Sequence, residues 1–268
     1  MIRETVKLIP GRDEVYLDYY GNDDRAVPGD AMLVIPGGGY CNVCSDREGE
    51  PIALAYLSHG INAFVLHYSV AEHIKNPLDP LYEASLAMMH IRKNAEKYCI
   101  NPSRVFAVGF SAGGHLAGSL GVLWHDDELQ ALLPEKGEGN RPTGIVLCYP
   151  VITSGEYAHA DSFRCLLNDE NPSTEALERF SLEKHVDAQS APAFIMHTSD
   201  DNLVPVENAL LMGAAYSKAH KQFEMRIYPH GPHGMALGNK VTWHGDPDLD
   251  CPDAARWVSD SVEWMNTL

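Results

Sequence analysis

The pattern of apolar and polar positions alternates along the chain between two kinds of segment. Short runs that are almost entirely apolar are typical of strands buried on both faces of a sheet, and they occupy residues 31–35, 61–66, 105–108, 145–148 and 193–197. Between two of these runs, from residue 81 to residue 98, apolar residues recur at helical spacing. Such alternation predicts an α/β fold, with a mainly parallel central sheet and helices on both faces.

The remaining elements follow from more local signals. Residues 5–9 and 15–19 alternate like antiparallel edge strands. Ser45-Asp-Arg-Glu48 fits a capping box and predicts a helix that ends near His59-Gly60. Residues 205–219 and 253–266 predict the last two helices.

One long segment breaks this rhythm. Between Tyr149 and Ala191 the residues are mixed and polar, with a boundary at Asn171-Pro-Ser173. It follows a strand, on the side where α/β sheets bind ligands. We expect a small cap insertion at 151–190 within a single domain spanning 1–268, with residues 125–142 also bordering the site. A solvated surface excursion is the alternative.

The sharpest motif is Gly109-Phe-Ser111-Ala-Gly113, a G-x-S-x-G pattern between a predicted strand and a helix rich in small residues. Glycines on either side of a serine allow the tight strand-to-helix turn that exposes a nucleophile above a parallel sheet. Ser111 is therefore the candidate nucleophile. The N–H of Ala112 is a candidate oxyanion donor.

A second glycine motif, Pro36-Gly-Gly-Gly-Tyr40, follows the predicted strand at residues 31–35. In hydrolases with this serine motif, such a loop supplies the other oxyanion donors, which makes Gly38 and Gly39 the candidates. A plain flexible turn is the alternative. A phosphate loop is disfavoured because no Lys-Ser/Thr follows the glycines.

An acid and a histidine should follow the serine, each on a loop after a strand. Asp201 follows the run at 193–197, and His233 follows the alternating segment at 223–228. We assign these two as the acid and the base, with Asp200 and His230 as the reserve assignments.

These motifs together resemble the α/β-hydrolase esterases related to hormone-sensitive lipase, and more narrowly the bacterial acetyl-xylan-esterase-like carbohydrate esterases. The resemblance extends from about residue 31 to the C-terminus. It implies a serine carboxylesterase that removes short acyl groups, chiefly acetyl, from carbohydrates such as xylo-oligosaccharides. Relatives often begin the glycine motif with His, whereas Pro36 stands here, so hydrogen bonds to that loop must come from elsewhere.

Alternatives remain open at this point. Arylformamidases and peptidases of the same fold have similar serine motifs. A non-catalytic ligand-binding protein with the same scaffold is an alternative from another functional class.

Five aromatic rings fall near strand ends or in the serine motif, where rings can stack on a sugar: Tyr40, Tyr68, Phe110, Trp124 and Tyr149. Core packing is the alternative for these rings.

Composition narrows the expected partners. The chain has 268 residues and a formal charge of −17, which disfavours nucleic acid and anionic membrane surfaces. We expect a small-molecule or oligosaccharide ester as substrate, no cofactor and no metal, and we leave a homo-oligomer open. The sequence starts without the apolar region of a signal peptide, so a cytoplasmic location is expected.

The expected location also predicts the redox state of the cysteines. All six are expected to be reduced. A redox or zinc role for Cys41-Asn-Val-Cys44 is a minor alternative.

Overall fold

The structure is a computed structural model that describes residues 1–22 and 26–268. In chain order, the strands of this part are β1 to β8: Ile2–Lys7, Tyr16–Gly21, Gly29–Ile35, Asn62–His67, Ile100–Phe110, Ile145–Cys148, Ala193–Thr198 and Phe223–Tyr228. Its α-helices are α1 to α9: Ser45–Glu48, Glu50–Ser58, Asp79–Lys93, Ala112–Val122, Asp127–Leu132, Ala160–Leu167, Thr174–Arg179, Glu207–Lys218 and Trp257–Met265. Short 3-10 turns lie at Ala71–His73, Glu138–Asn140, Leu182–Lys184 and Pro247–Leu249.

The strands form one sheet in the order β1-β2-β4-β3-β5-β6-β7-β8. Strand β2 pairs antiparallel with both β1 and β4, and the pairs from β4 to β8 are parallel. The mainly parallel sheet and its antiparallel edge are therefore as predicted. The two edge strands lie one to three residues from their predicted bounds.

Both faces of the sheet are covered by helices, again as predicted. Leu33 and Ile35 point into the core formed with α3, α4 and α8, whereas Met32 and Val34 point into the core formed with α2 and α9. All four side chains are fully buried. Burial on both faces explains why this strand reads as a continuous apolar run rather than an alternating one.

The helix predicted from the capping box is broken in two. Helix α1 ends at Glu48, and Gly49 has φ −106° and ψ −97° before α2 begins. Cys44 precedes α1 without a side-chain cap, so Ser45 is not the N-cap. Glu48 does not turn back to cap the helix because its carboxylate is buried elsewhere.

Residues 125–142 lie at the other end of the sheet from the predicted site, so that expectation is wrong. They connect the end of α4 to the start of β6. Arg92 of α3 holds them there, donating to the carbonyls of Gly139 at 2.7 Å and Arg141 at 2.6 Å. Helix α4 runs back from the carboxyl end of β5, so its own end lies at the amino ends of the strands.

Candidate active site

Ser111 stands on a sharp turn between the last residue of β5 and the first residue of α4. Its backbone has φ +53° and ψ −120°, a conformation that L-residues rarely adopt. A Cβ on Gly109 would overlap the Gly113 carbonyl, and a Cβ on Gly113 would overlap the carbonyls of Ile35 and Pro36. The two glycines of the motif are thus required by close backbone approach, which explains how this strained turn is held.

Ser111, His233 and Asp201 form one hydrogen-bonded chain. His233 Nε2 lies 2.8 Å from Ser111 Oγ, and His233 Nδ1 lies 2.7 Å from Asp201 Oδ2. The histidine side chain is 11% exposed and the aspartate side chain is fully buried. An imidazole between a hydroxyl and a buried carboxylate can take the hydroxyl proton and share its charge with the carboxylate.

Asp201 is held by the backbone that follows it. Its Oδ1 accepts hydrogen bonds from the N–H groups of Leu203 at 2.9 Å and Val204 at 3.0 Å. Burial acts to raise the pKa of Asp201, but the hydrogen bond and charge of His233 and the two backbone donors outweigh it and lower that pKa. The carboxylate is therefore ionised at neutral pH.

The reserve residues form a second pair outside this chain. His230 Nδ1 lies 3.0 Å from Asp200 Oδ2, and Asp200 Oδ1 accepts the Gly231 N–H at 2.9 Å. These side chains are 85% and 50% exposed. The structure thus separates an exposed Asp–His pair from the pair at Ser111.

The glycine loop lies directly on Ser111. A Cβ on Gly37 would be 3.0 Å from Ser111 Cβ. Gly38 and Gly39 adopt φ +129° and +67°, which favour glycine. In the described part of the chain, the N–H groups of Gly38, Gly39 and Ala112 donate to no protein acceptor, so they are free to donate to a bound group beside the serine.

Two side chains from other parts of the chain hydrogen bond the start of the glycine loop. Tyr68 donates its hydroxyl to the Pro36 carbonyl at 2.7 Å. Glu48 Oε2 accepts the Gly37 N–H at 2.8 Å. The sequence predicts neither of these roles. Glu48 fits a helix capping box there, and Tyr68 is a candidate only for stacking on a sugar.

Glu48 also reaches the histidine loop. Its Oε1 accepts the Tyr149 hydroxyl at 2.9 Å, and the same hydroxyl oxygen accepts the Ala236 N–H at 3.0 Å. Burial raises the pKa of the Glu48 carboxyl, while the charge of Arg47 and these hydrogen bonds oppose the rise. The Tyr149 ring meets the His233 ring edge to face, with centroids 5.0 Å apart.

The five aromatic rings named in the sequence analysis are all buried, each no more than 5% exposed. They pack in the core and offer no open face to a sugar. Tyr40 instead hydrogen bonds His115 Nδ1 at 2.8 Å, and His115 Nε2 lies 2.8 Å from the Phe180 carbonyl. Burial lowers the pKa of His115 to about 4, so this imidazole links the glycine loop to the segment after α7 in its neutral form.

Helix α6, from the segment predicted as a cap, lies beside the glycine loop. Ser162 Oγ is 3.9 Å from the position of a Cβ on Gly39. His159 Nδ1 lies 2.8 Å from that hydroxyl. Burial and the charge of His233 lower the pKa of His159, which places this imidazole within electrostatic range of the hydrogen-bonded chain.

A disulfide joins the same two elements. Cys41, just after the glycine loop, is bonded to Cys165 in α6, with Cα atoms 5.9 Å apart. The prediction of six reduced thiols is therefore wrong for these two residues. That expectation rested on the expected cytoplasmic location, and no local pattern pairs these two cysteines, which are 124 residues apart in the chain and are brought together by the fold. Cys44 keeps a free thiol.

Residues 1–22 and 26–268 contain no group of three or more His, Cys, Asp or Glu side chains arranged to hold a metal ion. They also contain no helix with the length and apolar character needed to cross a membrane.

Comparison with known proteins places the chain in a family. A model of the BD-FAE family matches residues 17–216. The chain belongs to the BD-FAE family. A solved structure of an acetyl ester-xyloside bifunctional hydrolase from Caldicellulosiruptor lactoaceticus has a similar fold, with a TM-score of 0.83 and 33% identity over 98% of this chain and 96% of that one. The predicted resemblance to acetylxylan-esterase-like α/β-hydrolases is confirmed.

Two curated proteins are similar to this BD-FAE chain over most of its length. Endo-1,4-beta-xylanase B of Butyrivibrio fibrisolvens is 45% identical over 85% of the chain, and acetylxylan esterase of Xylanibacter ruminicola is 29% identical over 86%. The chain spans 35% and 45% of these two proteins. The match therefore concerns a part of each relative.

Proposed function

We propose that this chain is a serine carboxylesterase that hydrolyses short-chain esters, chiefly acetyl esters, of carbohydrates such as xylo-oligosaccharides. The observation that carries the proposal is the chain of two hydrogen bonds from Asp201 through His233 to Ser111, at 2.7 and 2.8 Å. The carbohydrate substrate is supported by the names of the relatives, which refer to xylan, xyloside and acetyl esters.

In the first half of the reaction, Ser111 Oγ attacks the ester carbonyl while His233 Nε2 takes the serine proton. Asp201 holds the proton on Nδ1 and stabilises the imidazolium. The protonated Nε2 then gives its proton to the departing sugar oxygen. An acyl-enzyme remains, and water hydrolyses it by the same sequence of proton transfers.

In both acylation and deacylation, the tetrahedral intermediate carries a negative charge on the former carbonyl oxygen. The N–H groups of Ala112, Gly38 and Gly39 are the donors we assign to it. Ala112 opens α4, so the partial positive charge of the helix start adds to its hydrogen bond. Removal of one such donor typically costs about 10²–10³ in rate.

The test is acetate release from acetylated xylo-oligosaccharides and from p-nitrophenyl acetate, measured for the wild type and for Ser111→Ala. We expect release from both substrates that depends on Ser111, together with covalent labelling of Ser111 by a fluorophosphonate. Release from the aryl ester alone would keep the serine mechanism and refute the sugar substrate. If neither acetate release nor labelling is seen, a non-catalytic binding role would replace the proposal. If neither ester is cleaved but an N-formyl aryl amide is, the protein would be an amidase.

A further inference from the structure

The Glu48 carboxylate is buried beneath the candidate active site and contacts two of its loops. It is 2% exposed. One of its oxygens accepts the Gly37 N–H of the glycine loop, and the other accepts the Tyr149 hydroxyl. That hydroxyl in turn accepts the N–H of Ala236, three residues after His233. The glycine loop and the histidine loop are thus joined through one carboxylate and one phenol.

We propose that Glu48 and Tyr149 are positioning residues that hold the oxyanion glycines and His233 in register around Ser111. The inference rests on the proposed function and adds to it a role for two residues that touch no reacting atom. The alignment of the site is thus attributed to hydrogen bonds other than those that link Asp201, His233 and Ser111.

The glycine-loop side of the network is sterically tight. A Cβ on Gly37 would lie 2.7 Å from the Phe110 carbonyl and 3.0 Å from Ser111 Cβ, so the backbone passes close to the serine at a position that admits only glycine. The bond to Glu48 prevents it from moving away. Gly38 and Gly39 follow directly, so any displacement of Gly37 carries their N–H groups with it.

The histidine side of the network depends on Tyr149. Its backbone N–H donates to the Met196 carbonyl at 2.8 Å, which fixes the residue at the end of β6. Its ring packs against His233, and its hydroxyl holds the loop at Ala236. Loss of the hydroxyl would free that loop while the ring contact remains.

Small displacements at these two loops matter for rate. A misplacement of about 1 Å far from the reacting atoms can cost about 10²-fold. Because the network aligns groups that act in the transition state, its loss should lower kcat more than it raises KM. A merely structural pair would instead lower stability and leave kcat unchanged.

The experiment uses Glu48→Gln, Tyr149→Phe and the double variant, with p-nitrophenyl acetate as substrate. We expect each single variant to lose about 10- to 100-fold in kcat, with KM within about twofold of the wild type. The double variant should lose about as much as the more impaired single variant and no more, because the effects of residues that act as one unit are not additive. Losses that multiply would overturn the proposal, as would kcat values within about twofold of the wild type.

Glu83→Gln and Tyr56→Phe are the matched controls. Glu83 is a buried carboxylate that accepts the Ser69 N–H at 2.7 Å and the Ser69 hydroxyl at 2.8 Å, and Tyr56 is a buried phenol whose hydroxyl lies 2.9 Å from Ser261 Oγ. Both should lower the melting temperature and keep kcat. If they lower kcat as much as the Glu48 and Tyr149 variants do, the effect is general destabilisation and the proposal fails.

A spectroscopic readout separates this proposal from the proposed function. In NMR spectra, the Gly37 amide signal and the low-field Nδ1 proton of His233 should both shift in Glu48→Gln and stay in place in Glu83→Gln. A wild type without Ser111-dependent turnover would refute the esterase, while these shifts would still support the positioning network. Unchanged signals would overturn the network whatever the activity.

Discussion

Replacement of Asp201 by Asn gives the most direct test of the candidate active site. The aspartate uses one oxygen for the N–H groups of Leu203 and Val204 and the other for His233. Two backbone donors face Oδ1, so the amide oxygen of an asparagine must take that position. The NH₂ group is then forced to face His233 Nδ1.

This orientation selects the wrong tautomer of the imidazole. An NH₂ group donates to Nδ1, so the proton of the neutral ring moves to Nε2. Nε2 lies 2.8 Å from Ser111 Oγ and, once protonated, has no lone pair to accept the serine proton. Such a change costs about 10⁴ in kcat, which corresponds to about 5.4 kcal/mol in the activation free energy.

The assay is hydrolysis of p-nitrophenyl acetate by the purified variant, with thermal unfolding measured in parallel. Asp200→Asn is the matched control because Asp200 is the neighbouring residue, is half exposed and pairs with His230 instead. We expect the control to keep nearly all of its kcat. If Asp201→Asn retains more than a tenth of the wild-type kcat, or if Asp200→Asn is the slower variant, the assignment of the acid is wrong.

Three further predictions concern stability and substrate. Burial lowers the pKa of His115 and of His197 to about 4 from 6.5. Each therefore contributes up to about 3 kcal/mol of stability that is present above pH 6.5 and lost as the pH falls toward 4. Urea unfolding at pH 7 and at pH 4.5 should show this loss, and equal free energies of unfolding at the two pH values would contradict it. Cys165→Ser should lower the free energy of unfolding by about 2–4 kcal/mol, seen in denaturant unfolding without reductant, whereas Cys44→Ser should not. His159→Ala should raise KM for acetylated xylo-oligosaccharides and leave KM for p-nitrophenyl acetate unchanged, since we expect α6 to contact the sugar; equal changes for both substrates would refute that contact.

The sheet could be predicted from the sequence because its signals are local. Strand β5 is an apolar run that leads directly into the G-x-S-x-G motif, and strand β7 leads directly into the loop of Asp201. In parallel sheets the carboxyl ends of strands meet at one edge, so residues that follow these strands come together whatever their separation in the chain. That rule brings Ser111, Asp201 and His233 to one edge of the sheet, and it brings Asp200 and His230 there as well, so the pairing itself depends on the geometry of the loops.

The supporting residues could not be predicted because their partners are distant in the chain. Glu48 satisfies the spacing of a capping box, and only the folded chain shows that the Gly37 N–H and the Tyr149 hydroxyl lie within its reach. The pairing of Cys41 with Cys165 likewise depends on where α6 packs. The position of residues 125–142 depends on the direction of α4, which no local pattern within those residues encodes.

The exposed pair of Asp200 and His230 links the loops after β7 and β8 without using Asp201 or His233. Asp200 bonds both His230 and the Gly231 N–H, so the loops after β7 and β8 are fastened together by residues adjacent to Asp201 and His233. Exchange of Asp201 or His233 therefore leaves a fastening in place. The two loops can therefore remain ordered in variants in which the residues we propose as reactive groups are exchanged one at a time.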